Sequence, residues 1–536
     1  MQFLRSTFGL AFLGSLLFWM ALPPFDLGLL AWVAPLPWVL LVQKPELTGR
    51  RPYLKIYLAY FLFWLAALHW LTLPHWATVF GLIALAFYLA FYLPVFVGLT
   101  RVCVQGWRMP AILAAPLVWV GLELIQSYLL TGFTMVVLGQ TQYRWIKLIQ
   151  IADMTGTFGL SFLIVFVAAC LAQVVGTRDR RKLIRYPSSA LAAILVVVGY
   201  GWWRTSGEYT TAGPTVALIQ GDIDTELKAD PAKNILIFDE YLRLTARALK
   251  EAPETDLIVW PETMFRYPWL TFADDYKPKP TDPYSPETAK VESQYAIEKV
   301  VLPINKSMLI GIDRWHTTNE GFERYNTALF VDRNANILGN YAKSHLVMFG
   351  EYVPFANQFP FLYKLTPLAA GSQPGKAATA VDIGGVCYSP SICFETTLAR
   401  VMRRLVNEAR ANKKGCNPQV LVNLTNDGWF WGSAELDMHL ICGVFRAIEC
   451  RKPLLVAANT GFSAWIDSDG RIVKQGKRRA EDVIIAKPRL DQRGSFYLEY
   501  GDVFALPCFL VTLAAIGDGL RRRRKAGATV PPTKKR

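Results

Sequence analysis

The chain reads as an α-helical membrane protein with a layered α/β domain inserted before its last helix. Three observations predict this. Hydrophobic residues make up 52% of the 536 positions, and the mean hydropathy is +0.24. Charged residues make up only 18%, below the roughly 25% usual for soluble domains. The apolar excess is confined to the first 203 residues and a short stretch near the end. These figures exclude a disordered chain, a small disulfide scaffold and an ordinary cytosolic enzyme.

Seven apolar runs precede residue 204, at about 8–22, 27–42, 56–73, 79–99, 111–129, 158–175 and 189–203. An eighth covers about 503–520. A bilayer core takes about 20 apolar residues, so seven spans and one more are expected. Pro23 and Pro24 break the first run from the second. Arg5 before an apolar run has the look of a signal peptide. No small-x-small cleavage site follows, so an uncleaved anchor is expected.

The gaps between runs orient the spans. Lys44, Arg50, Arg51 and Lys55 fill the second gap, Arg101 and Arg108 the fourth. Arg178, Arg180, Arg181, Lys182 and Arg185 fill the sixth, and Arg521 to Arg524 with Lys525 follow the eighth run. An eight-span count puts all of these on one side. Both termini are then cytoplasmic and residues 204–500 lie across the membrane. The net charge of +15 reflects topology and anionic lipid rather than nucleic acid. Glu123, inside an apolar run, is a functional candidate or a partner for Arg144 or Lys147.

From 214 onward the periodicity changes. Strands are expected at 215–219, 256–260, 308–313, 326–331, 337–342, 385–389, 420–423 and 454–458, with a hairpin of 463–467 and 471–474. Helices are expected at 232–250, 286–301, 398–411 and 435–451. This alternation predicts a layered domain around a mixed sheet. The expected division is 1–203 membrane, 204–213 linker, 214–490 α/β, 491–520 return segment and eighth span, and 521–536 basic tail. Two insertions, 266–287 and 346–375, carry Trp269, Leu270 and Phe272, then Phe349, Phe355, Phe359, Phe361, Leu362 and Leu365. Loops of this length are commonly functional, so lids or membrane-docking arms are expected, with Trp269, Phe349, Phe355 and Phe359 as contacts.

Of eight cysteines and five histidines, none falls in a CxxC, an HExxH or a zinc-spaced cluster. No metal and no cofactor are expected. Cysteines 387, 393, 416, 442 and 450 lie in the α/β segment, and their odd number leaves at least one thiol free.

Three expected strand ends carry a reactive residue. Glu262 follows Leu257–Pro261, Lys343 follows Gly339–Ala342, and Cys393 follows Tyr388–Ile392. Side chains at the C-terminal ends of neighbouring strands converge in a crevice. A carboxylate that takes a proton, an ammonium that stabilises an oxyanion and a thiol that carries an acyl group form a coherent nucleophilic set.

Pro261-Glu262, Lys343 and Ile392-Cys393-Phe394-Glu395 resemble the Glu–Lys–Cys motifs of the nitrilase, or carbon–nitrogen hydrolase, superfamily. The three residues are spaced by 81 and 50 positions. The stretch Asn423-Leu424-Thr425-Asn426-Asp427-Gly428-Trp429-Phe430 and the helix with His439, Arg446 and Glu449 are also similar to that superfamily. One branch has this domain flanked by seven spans and one more, the apolipoprotein N-acyltransferases. Pro23-Pro24-Phe25-Asp26-Leu27, 156–164 and 343–355 resemble that branch, so the likeness covers nearly the whole chain. Thr134 and Met135, Phe394 and Ala229 stand where the branch commonly has an aromatic, a tyrosine and a tryptophan.

The resemblance implies an α-β-β-α sandwich and two acyl transfers. An sn-1 acyl chain leaves a phospholipid, typically phosphatidylethanolamine, for Cys393. The α-amine of a diacylglyceryl-cysteine apolipoprotein then takes it. Glu262 acts as base, and Lys343 with the Phe394 N–H forms the oxyanion hole. Glu351 and Glu395 support them. Arg446 and Glu449 read as a structural pair, and His439 as a residue behind the catalytic groups or a structural one. A monomer in the bacterial inner membrane, with a periplasmic catalytic domain and no nucleic-acid partner, is implied. A membrane-tethered amidase acting on a small amide would share the triad, and ammonia release would reveal it. A transporter would show several intramembrane charges or repeat halves.

Overall fold

The computed structural model describes residues 6–280, 285–356, 358–359, 361, 363, 371–412 and 415–528. Leu362 and Leu365 of the second insertion lie outside them. The chain forms two compact units. One comprises residues 1–69, 80–206 and 500–536, the other 70–79 and 207–499.

The first unit is helical. Among the described residues, five helices are long and apolar enough to cross a membrane: Thr78–Gly106, Ala111–Thr131, Thr157–Val174, Arg180–Arg204 and Asp502–Arg524. The expectation of seven N-terminal spans is therefore corrected to four, with a fifth at the C-terminal end. The first three runs form shorter apolar helices, Thr7–Ala21, Gly28–Gln43 and Pro52–Ala67. At 1.5 Å per residue these reach only about 22–24 Å, short of a hydrocarbon core about 30 Å thick. Proline is the physical reason for the first two. Pro23 and Pro24 end the first helix, and Pro35 splits the second run into a 3₁₀ turn, Gly28–Trp32, and a helix, Leu36–Gln43. Glu123 accepts a hydrogen bond from Trp119 Nε1 at 2.8 Å. Neither expected outside partner reaches it, because Arg144 pairs with Asp26 and Lys147 donates to Thr205.

The second unit holds two six-stranded sheets. In chain order its strands are β1 (Val216–Gln220), β2 (Leu257–Phe272), β3 (Ser307–Thr317), β4 (Phe322–Val331), β5 (Ile337–Ala342), β6 (Val381–Ile383), β7 (Val386–Ile392), β8 (Val420–Thr425), β9 (Leu454–Ala458), β10 (Ala464–Ile466), β11 (Ile472–Gln475) and β12 (Asp482–Ala486). One sheet has the order β12-β1-β2-β3-β4-β5, the other β11-β10-β9-β8-β7-β6. Each has three parallel strands at its centre, β1-β2-β3 and β7-β8-β9, with antiparallel strands at both flanks. Parallel strands are covered on both faces and read as continuous apolar runs. Accordingly β1, β8 and β9 are buried at every residue.

Four helices complete the layers: α1 (Asn234–Glu251), α2 (Pro286–Ile304), α3 (Ala399–Ala411) and α4 (Glu435–Cys450). The apolar face of α1, through Ile237, Tyr241, Leu244 and Ala248, joins the core of the first sheet with Ile258, Trp260 and Ile310. Tyr241 donates to Asn459 Oδ1 beyond β9 at 2.9 Å, and the Asp222 N–H donates to the Asn459 carbonyl. These bonds fasten the two sheets together. The result is a nitrilase-like α/β sandwich.

Two sequence expectations change. Residues 266–272 do not begin an irregular arm. They prolong β2 as a half-exposed strand, and Trp269 pairs in register with Arg314 of β3. In addition, β12 was not expected. Cys387 lies buried in β7, as a core-strand residue, and forms a disulfide with Cys416.

Candidate functional site

Glu262, Lys343 and Cys393 each sit where a strand stops being regular. In β2 the pairing with β3 jumps from Trp260–Ile310 to Phe265–Ile312. The residues between bulge out of the ladder, with Thr263 in the left-handed region at φ 55°. A bulge of this kind re-aims a side chain. Gly311 faces it across the ladder. A Cβ at Gly311 would lie 2.2 Å from the Pro261 carbonyl oxygen and 2.7 Å from Glu262 Cα, so only glycine admits the bulge.

Lys343 follows β5 and is 1% exposed. Its Nζ donates to Glu351 Oε1 at 2.9 Å and stands 3.9 Å from Glu262 Oε1. Glu351 Oε2 also accepts the Val347 N–H at 2.8 Å. Asn326 of β4 ties this edge together. Its side-chain N–H donates to Glu262 at 2.6 Å, and its carbonyl accepts the Lys343 N–H at 2.8 Å.

Cys393 follows β7 and opens a 3₁₀ turn, Cys393–Thr397. Its φ is 52°, a conformation that costs a residue with a Cβ. Glu395, fully buried, holds the turn in place. Its Oε2 accepts the Ile392 N–H at 2.8 Å. Its Oε1 accepts from the Tyr341 hydroxyl at 2.7 Å and from the Ser344 and His345 N–H groups at 2.9 and 3.0 Å. One carboxylate thus joins the end of β7, in one sheet, to the end of β5, in the other. Phe394 stacks on His345 with centroids 6.2 Å apart.

The electrostatics follow from burial. Burial pushes the Cys393 thiol well above its ordinary value, Glu262 adds to this and Lys343 opposes it. Burial also raises the Glu262 carboxyl, while Lys343, Lys228 and the Asn326 hydrogen bond pull it down. For Lys343 burial works against the charge, but Glu351, Cys393 and Glu262 together hold the ammonium above its usual range. At rest the thiol therefore keeps its proton, beside Glu262 and a charged lysine.

Glu351 and Glu395 contact this centre as just described. Trp269 lies at the far end of β2, where Arg314 approaches its ring face at 5.9 Å. Phe349, Phe355, Phe359 and Phe361 are exposed, and Phe349 and Phe355 take left-handed backbone angles. Sequence reasoning missed Asn326, Tyr341 and Lys228. Burial holds the Lys228 ammonium down to about 8, and it donates to Thr263, next to Glu262. Its one signal was a place on the short helix after β1.

Asp427, Glu435 and His439 are buried with donor atoms within 4.8 Å of one another. Both His439 ring nitrogens are already engaged, by Asp427 at 3.1 Å and by Thr396 and the Cys393 carbonyl at 2.9 and 3.2 Å.

Comparison with known proteins agrees with this architecture. Residues 14–170 match the family described as apolipoprotein N-acyltransferase N-terminal domain, and residues 215–496 match carbon-nitrogen hydrolase. An apolipoprotein N-acyltransferase of Geobacter metallireducens is 34% identical over 97% of this chain and 96% of its own. One of Rhodopirellula baltica is 31% identical over 95% of this chain and 97% of its own. Among solved structures, Saccharomyces cerevisiae Nit3, of the nitrilase superfamily, is similar over 55% of this chain with 16% identity and a TM-score of 0.37.

Gly311→Ala is expected to displace Glu262 and to cut turnover by about 100-fold, the cost of misplacing a reacting group by about 1 Å. A melting curve recorded beside the activity checks that the fold survives.

Proposed function

The chain belongs to the apolipoprotein N-acyltransferases, and from that membership we propose the reaction its site performs. An sn-1 acyl chain passes from a phospholipid, phosphatidylethanolamine in the first instance, to Cys393 as a thioester. It then passes to the α-amine of the N-terminal diacylglyceryl-cysteine of an apolipoprotein. One observation carries the reading. A thiol on a left-handed turn shares its electrostatic environment with Glu262 and with a lysine that is charged although buried.

The steps use those groups in turn. Glu262 takes the Cys393 proton as the sulfur attacks the ester carbonyl. Lys343 Nζ and the Phe394 N–H receive the developing oxyanion. Collapse expels the lysophospholipid, which takes the proton back from Glu262. The acceptor amine then attacks the thioester and Glu262 removes its proton. The amide forms and the thiol returns. Glu351 keeps Lys343 charged and placed, and Glu395 holds the Cys393 turn.

In this reading residues 1–203 and 491–520 form the membrane part, 204–213 a linker and 214–490 the periplasmic catalytic domain. The basic tail after the last span is cytoplasmic, and the protein acts as a monomer in the inner membrane. The arginines 521–524 at the end of that span support a catalytic domain on its other side. The Cys387–Cys416 disulfide suits an oxidising compartment. The exposed phenylalanines 349, 355 and 359, with Trp269, meet the acyl chains of the two lipid substrates. Chains leave a bilayer at a cost of about 0.8 kcal/mol per exposed CH₂, so an apolar path to the thiol is a physical need.

Three outcomes are expected. Incubated with phosphatidylethanolamine in detergent, the protein gains one acyl mass, removed by neutral hydroxylamine and missing in Cys393→Ala. An unmodified wild type that instead releases ammonia from small amides would favour the amidase reading. Acylation requires the Glu262 carboxylate, whose proton affinity is raised by burial. Its rate falls as pH drops through a midpoint above the ordinary 4.5, and Asn326→Ala moves that limb to still higher pH. Phe349→Asp and Phe359→Asp lower turnover severalfold at unchanged expression, and full turnover in both would remove the lipid-path assignment.

A further inference from the structure

The left-handed turn at Cys393 needs something to hold it, because a residue with a Cβ relaxes from φ 52° unless its surroundings forbid it. What they grip is the Cys393 carbonyl. It accepts from Thr396 Oγ1 at 3.0 Å, from His439 Nε2 at 3.2 Å and from Asn423 Nδ2 at 3.3 Å. Thr396 belongs to the same turn and moves with it. Asn423 lies within β8 and is also fastened to Ser391 at 3.0 Å. His439 comes from a separate element, α4, and its other nitrogen stands 3.1 Å from Asp427 Oδ1. That oxygen also accepts the Thr425 hydroxyl at 2.8 Å. One ring therefore spans from a carboxylate to a carbonyl, and both of those oxygens are acceptors. A ring with N–H on both nitrogens serves both oxygens, and the Thr396 hydroxyl stands beside Nε2 as well, at 2.9 Å.

We propose that His439 is a positioning residue. Its doubly protonated ring, anchored by Asp427, grips the Cys393 carbonyl and fixes the turn that aims the thiol. The proposal rests on the reading of Cys393 as the acyl-carrying nucleophile.

The charges around the ring agree with this. Burial disfavours the imidazolium, but Asp427, the Cys393 carbonyl and Glu262 favour it and prevail. Glu435, one turn earlier on α4, is the other acid in the cluster. Its Oε2 is buried without a hydrogen-bond partner among the described residues. Burial, Asp427 and Asp437 hold this carboxyl well above its ordinary value. Asp427 is the acid whose oxygen meets the ring, at 3.1 Å. Thr396, Asn423, Asp427 and His439 line one small pocket at this point.

The test compares full-length wild type, His439→Ala, His439→Gln and Asp427→Asn in detergent with phosphatidylethanolamine. Intact mass gives the rate of Cys393 acylation against donor concentration, and a melting curve gives stability. Glutamine places one N–H near the position of Nε2. The proposal expects His439→Ala and Asp427→Asn to lower the maximal acylation rate at least 30-fold. The donor concentration for half-maximal rate stays unchanged, and His439→Gln recovers most of the rate. Melting temperatures stay within a few degrees. Equal loss in Ala and Gln variants that tracks a lowered melting temperature would make His439 merely structural. Wild-type rates in His439→Ala would overturn the proposal while leaving Cys393 as nucleophile. A wild type that never acquires the acyl mass would remove both.

Discussion

The catalytic edge depends on keeping one ammonium charged where water does not reach it. Burying an ion costs several kcal/mol unless good partners replace its hydration. Lys343 has two, Glu351 in direct contact and Glu262 just beyond contact distance. Much else follows from holding them there. Glu351 shapes the 347–351 turn by accepting the Val347 N–H. Glu262 reaches the lysine only because β2 bulges, and β2 bulges only because residue 311 is glycine. Asn326 then locks the backbone of one partner to the side chain of the other.

Glu395 performs the complementary task with an opposite charge. It has no cationic partner in its immediate hydrogen-bond shell and is instead surrounded by N–H and O–H donors from two strand ends. A buried carboxylate satisfied in this way is strongly directional. The nucleophile's sheet and the lysine's sheet are thereby held in one register, which no apolar contact would fix as sharply.

Most strands, the four helices, and Lys343 and Cys393 after β5 and β7 were legible because each signal is local. The pairing of two sheets came from the family resemblance, and Glu262, expected at a strand end, sits in a bulge within β2. Span count was less legible. Hydropathy counts apolar residues, but Pro23, Pro24 and Pro35 decide how many form one helix. The strand 482–486 escaped notice because its partner, Val216–Gln220, lies far away in the chain. Asn326, Tyr341 and Asp427 carry no sign of their roles, which arise only when distant strands meet. The partner of Cys387 was equally hidden, since connectivity is not written in spacing.

The distribution of sulfur has a practical consequence. Cys387 and Cys416 are joined, and the free Cys103, Cys170, Cys442, Cys450 and Cys508 are all buried. Cys393 is the one free cysteine among the described residues that is not fully enclosed. The folded protein therefore contains a built-in active-site titrant. The stoichiometry of a mild thiol reagent counts competent centres in a detergent or vesicle preparation. The same arrangement makes an acyl-mimicking electrophile selective by accessibility alone.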